Sequence, residues 1–151
     1  MSEAAQSTFV YVTYIRTTAE KLWSALTKPE FAKQYWFGMH MASEWKPGAE
    51  WKLCFADGRV ADTGEVLEID PPRRLVLRWQ NEFRPELKAE GPAHCAFDLE
   101  PNGDIVKLTI THSSAKPNSK VIVAVGGGWP KILSNLKSFL ETGTPIAIEM
   151  L

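Results

Sequence analysis

The sequence predicts an α+β fold, an antiparallel sheet with helices packed on it. Three observations carry this. Alternating apolar runs are joined by hairpin signals, Asp57-Gly58 and Pro101-Asn102-Gly103-Asp104. Two short helical patterns follow the first strand. The chain closes on one long run, Ser119 to Gly143, whose apolar positions recur at helical spacing.

Residues Thr8 to Arg16 are β-branched and aromatic, and read as a first strand buried on both faces. Thr17 or Thr18 then caps a helix, with Thr17-x-x-Glu20 spaced as a capping box. Leu22, Ala25 and Leu26 share its inner face, with Trp23 beside them. Pro29 opens a second helix with Phe31, Tyr35 and Trp36 on its apolar side, and Gly38 ends it. Met41 to Trp45 reads as a short strand. Glu50 to Ala56 alternates with Trp51, Leu53 and Phe55 inward. Val60 to Ile69 and Arg74 to Gln80 follow, the latter with Leu75, Leu77 and Trp79 on one side. Phe83 to Pro92 reads as a polar loop. Ala93 to Glu100 presents Cys95, Phe97 and Leu99, and Ile105 to His112 presents Val106, Leu108, Ile110 and His112.

The terminal run carries an internal conflict. Val125, Trp129, Ile132, Leu133, Leu136, Phe139 and Leu140 form one helical stripe. Asn118 or Ser119 supplies an N-cap, and Gly143 with Pro145 supplies the stop. Yet Gly126, Gly127 and Gly128 each cost about 1 kcal/mol against alanine, and interior Pro130 about 3. Two readings survive: one long helix kinked at the Gly-Pro segment, or a short helix from Trp129 onward.

Composition narrows the function. A chain of 151 residues suits one domain, residues 1–151 with an ordered core over about 8–143. Net charge is −1 with no basic run, which argues against nucleic acid as a partner. No apolar run is long enough for membrane insertion. The N-terminus MSEAAQSTF has no apolar signal region, and Cys54 and Cys95 form no metal spacing or disulfide framework. A cytoplasmic protein with two buried thiols is expected. Six Trp, seven Phe and three Tyr imply an aromatic core or an aromatic-lined pocket.

Several stretches match a known family. LWSALTKPEFAKQYW, WKPGAEWKL, GEVLEIDPPRRLVLRW, LTITHS and GGWPKILSNLKSFLETG resemble those of the START-like (SRPBCC) superfamily. Within it they resemble the homologues of the activator of heat-shock-protein-90 ATPase. The resemblance implies a helix-grip fold: a curved seven-stranded antiparallel sheet around a long C-terminal helix, with two short helices closing one end. It favours the single kinked helix. It also implies a hydrophobic cavity between sheet and helix, and a chaperone as one class of partner. The eukaryotic co-chaperone has an additional N-terminal domain, which is not expected here.

The candidate ligand-binding residues are Trp36, Trp51, Phe55, Trp79, Phe83, Phe97, His112, Trp129 and Leu133. Their aromatic faces suit a small hydrophobic molecule such as a lipid, polyketide or aromatic, with His112 or Arg78 as orienting polar groups. A packed aromatic core reads the same way in sequence. No catalytic residue is assigned. His40, His94 and His112 lack neighbouring partner groups, and Asp62, Glu65 and Glu68 read as carboxylates on one strand, with Glu65 pairing to Arg78 as a solvated ion pair. No nucleotide, metal or nucleophile motif occurs, so no cofactor is implied. Non-catalytic binding is the first expectation. A co-chaperone-like interaction domain and a cyclase or hydrolase are the alternatives.

Overall fold

The computed structural model describes residues 6–149. In chain order the elements are β1 (Ser7–Ile15), α1 (Ala19–Thr27), α2 (Pro29–Tyr35), β2 (His40–Ser43), β3 (Glu50–Cys54), β4 (Val60–Asp70), β5 (Arg74–Asn81), α3 (Pro85–Lys88), β6 (Ala93–Asn102), β7 (Ile105–Ser114) and α4 (Lys120–Thr142). All seven strands form one sheet in the order β1-β7-β6-β5-β4-β3-β2. Every neighbouring pair is antiparallel. This is the α+β architecture expected, with the sheet curved around the terminal helix.

The inward faces of the strands make the core. Trp51, Leu77, Cys95, Phe97, Leu108 and Ile110 are buried, and Leu133 and Leu136 of α4 meet them. One short register explains a tight aromatic contact in this core. Gly64 of β4 is paired with Trp51 on one side and Trp79 on the other. Having no side chain, Gly64 lets the two indoles meet across it at 4.4 Å between ring centroids. A Cβ at this position would collide with the Arg78 carbonyl.

Four expectations are corrected. β1 is buried on one face only: Val10, Val12 and Tyr14 point outward and are exposed. Helix α4 packs on the Phe9 face of β1 and leaves the opposite face open to solvent. The cap of α1 is Thr18, whose hydroxyl accepts from the Lys21 amide at 3.1 Å, which moves the third helical position off Glu20 and leaves no capping box. The expected polar loop after Asn81 contains the one-turn helix α3, because Leu87 buries itself against Ala93 and Val121. Cys54 is half-buried; of the two free thiols, Cys95 is the buried one, and burial pushes its thiol up.

The terminal run is one helix of 23 residues. Ser119 caps it, its hydroxyl accepting from the Ile122 amide, and left-handed Gly143 ends it. A helical proline crowds the carbonyl four residues earlier. For Pro130 that residue is Gly126, the most compliant one available. Gly126 also lies under the Phe9 ring of β1, which would be 3.3 Å from an added Cβ. Tertiary packing therefore outweighs the propensity cost. No helix of the described residues is long and apolar enough to cross a membrane.

Candidate functional site

A cavity of about 330 Å³ lies between the sheet and the first half of α4. Strands β3, β4 and β5 supply Leu53, Asp62, Trp79 and Asn81. The end of α2 supplies Trp36 and Phe37, and the segment leading into α3 supplies Phe83, Arg84 and Leu87. On the helix side, Val121, Ala124 and Val125 precede Gly127 and Gly128, and Trp129 and Ile132 complete the wall. The glycines thin the helix: a Cβ added at Gly127 or Gly128 would meet nothing within 4 Å.

The structure divides the nine candidate residues into two groups. Trp36, Phe55, Trp79, Phe83 and Trp129 line the cavity. Trp51, Phe97, His112 and Leu133 stand behind that lining, in the core. The strand residues Trp51, Phe97 and His112 share the inward face with Trp79, but of these four the space opens beside Trp79. Trp129 joins the two. Its ring lies 5.5 Å from Trp36, 5.9 Å from Trp79 and 5.7 Å from Phe97. Phe83 is half-exposed and meets Phe55 edge-on at 5.3 Å.

His112 is a core residue with a specific partner. The Trp129 indole N–H donates to its Nδ1 at 3.1 Å. That places the proton of the neutral ring on Nε2, which is buried and has no hydrogen-bond partner among the described residues. Burial drives its pKa down to about 3, so the ring stays neutral and cannot act as a cationic anchor. Arg78 is removed as an orienting group too. Its guanidinium pairs with Glu65 at 2.7 Å across the β4–β5 register, away from the cavity.

Asp62 shares strand β4 with Glu65 and Glu68, as expected, but differs from them in burial. It is 5% exposed and on the cavity wall. Burial pushes its carboxyl up to about 7; hydrogen bonding from the Trp79 and Asn81 side chains acts the other way, and the neighbouring Glu82 adds to the rise. The available signal was parity. Asp62, Gly64 and Val66 share the inward face, whereas Glu65 faces out to Arg78.

The segment after β5 is fastened at both ends. Glu82 accepts from the Thr63 hydroxyl at 2.6 Å and pairs with Lys88 at 2.9 Å. Glu90 accepts from the Ser119 hydroxyl and the Lys120 amide, each at 2.6 Å, which ties the segment to the start of α4.

A second hollow, about 490 Å³, lies between α1, α2 and the far end of α4, over Ala25, Phe31, Phe139 and Leu140. It is the larger space, but Glu20, Lys21 and Lys28 on its rim are exposed. The first cavity has a buried carboxyl with a perturbed pKa among aromatic walls, the combination expected of a binding site. Among the described residues no cluster of His, Cys, Asp or Glu could hold a metal ion.

The sequence pattern of the family described as "Activator of Hsp90 ATPase homolog 1-like protein" matches residues 16–141. The chain belongs to this family. No curated protein matches it. Solved structures agree on the fold. A protein from Mesorhizobium loti superposes with a TM-score of 0.75 at 23% identity, over 89% of this chain and 97% of its own. One from Cytophaga hutchinsonii gives 0.70 at 27%, over 91% and 95%. An HSP90 activator from Plasmodium falciparum gives 0.69 at 21%, over 91% and 97%.

Proposed function

We propose that the protein is a non-catalytic binder of a small hydrophobic molecule, held in the cavity between the sheet and the first half of α4. The observation that carries this is the pairing of aromatic walls with a helix reduced to glycine at the same place. A two-ring ligand losing about 200 Å² of apolar surface there gains about 5 kcal/mol, at roughly 25 cal/mol per Å². The wall offers no histidine, serine, threonine or cysteine among the described residues, so no imidazole, hydroxyl or thiol stands on it to work with Asp62. The test is an NMR titration of the indole N–H signals with a lipid and aromatic panel. Shifts at Trp79 and Trp129 are expected in the native chain and are lost in Gly128→Phe, whose ring fills the space. A panel that moves neither signal overturns the reading.

Family membership favours a second reading, a co-chaperone-like domain acting on a heat-shock ATPase. It predicts stimulated ATP turnover when the purified chain is mixed with such an ATPase. Unchanged turnover at saturating chain counts against it.

A further inference from the structure

We propose that Asp62 is the polar anchor of this cavity, and that its ligand is a small aromatic alcohol whose hydroxyl donates to the Asp62 carboxylate among Trp36, Trp79 and Trp129. This rests on the binding reading above and adds the ligand's chemical class.

Asp62 is the carboxyl on the cavity wall among the described residues. Its strand neighbours are Leu53 of β3 and Asn81 of β5, so it looks into apolar surroundings with few competitors. The groups that already reach it, the Trp79 indole and the Asn81 amide, bring N–H donors. Donors select the carboxylate form, which has about four acceptor positions. Positions left over call for another donor, not an acceptor.

Three donor classes are then separated by charge. A carboxylic acid ligand would bring a second negative group beside Asp62. An ammonium ligand would lose its hydration inside an apolar space. A neutral hydroxyl avoids both costs. The indole and phenyl walls and the modest volume favour an aromatic body for it.

The charged group that acts on Asp62 is Glu82, from the segment after β5; Arg84 from that segment and Lys131 from α4 are the other charged residues on the cavity wall. The sides formed by β3 and the end of α2 contribute Leu53, Trp36 and Phe37, none of which titrates. Burial holds the carboxyl partly protonated near neutrality. A hydroxyl donor binds the ionised form, so affinity rises with pH across that range.

The experiment titrates the full chain with 2-naphthol, 2-methoxynaphthalene, naphthalene and 1-naphthylmethylamine, reading dissociation constants by NMR. We expect 2-naphthol to bind about tenfold more tightly than its methyl ether near pH 8. The preference shrinks near pH 5.5, and falls below about threefold in Asp62→Leu. Asp62→Asn, which keeps the shape, loses the pH dependence and serves if the leucine variant does not fold. Equal affinity for naphthol, ether and hydrocarbon overturns the anchor while leaving the cavity reading standing. Tighter binding of the amine overturns the hydroxyl assignment. Failure of all four to bind overturns both.

Discussion

The two halves of α4 meet the same sheet on different terms. From Leu133 to Leu136 the helix fills its side of the core, both leucines being buried, and Phe139 packs near Tyr35, while the second hollow lies toward α1 and α2. The polar residue there is fully engaged. Asn135 donates to the Tyr35 carbonyl at 3.3 Å and the Ile148 carbonyl at 3.1 Å, and accepts from the Ile148 amide at 3.0 Å. The Tyr35 hydroxyl donates to the Ala25 carbonyl at 2.8 Å, and burial pushes its pKa up. Before Ile132 the helix is thin at its glycines and borders the cavity, with Asp62 on the opposite wall. Closure at one end comes from side-chain volume and matched hydrogen bonds. Openness at the other comes from glycine.

Substitutions can break this contrast in order of size. Leu136→Ala at the filled end should cost about 2–5 kcal/mol in urea unfolding, since no neighbour is placed to refill the void. Ile132→Ala, which borders existing space, should cost less. If the two costs are equal, the halves are packed alike and the contrast fails.

Asn135→Ala should cost about 1–3 kcal/mol, because the buried Tyr35 carbonyl and the half-buried backbone of Ile148 lose their partners. Amide exchange at Ile148 reports the same loss locally.

Asp62→Asn should do the opposite, with a pH signature. The folded chain holds the Asp62 proton up to about 7, against an ordinary 3.8. Its contribution is fully favourable below the lower value and is lost as pH rises through the upper one. The variant should therefore be more stable than the native chain by about 1–2 kcal/mol near pH 8, with that gain absent near pH 4. His112, held neutral down to about 3, works the other way, favouring the fold above its ordinary 6.5 and losing that contribution as pH falls. A gain for Asp62→Asn that is constant with pH would show that Asp62 is not desolvated.

The smallest effect belongs to the glycines. Gly127→Ala should stabilise the helix by about 0.5–1 kcal/mol, since the position is helical and its Cβ meets nothing. The gain, measured by thermal unfolding, should come without loss of core packing. A destabilised variant would mean that the backbone there needs glycine for another reason.

Much of this architecture is legible in the chain. The alternation of Trp51-Leu53 and of Leu75-Leu77-Trp79, with Asp57-Gly58 between strands, specifies local hairpins, because side-chain direction in a strand has a period of two. The stripe from Trp129 to Leu140 specifies a helix for the same kind of reason. Such signals act over a few residues and survive any tertiary context that buries them. The same period separates Asp62, on the inward face, from Glu65, which faces out to Arg78.

Tertiary structure decided the rest. Whether VIVAVGGG continued the helix depended on Phe9 and the sheet offering contacts worth more than the propensity cost of glycine and proline. Whether an inward aromatic borders a cavity or fills the core depended on how far α4 stands from each strand. Trp79 and Phe97 have the same parity and chemistry, yet only Trp79 meets the space. That distance is set by the summed volumes on both surfaces and by sheet curvature, quantities that belong to pairs of distant segments and to no single stretch of sequence.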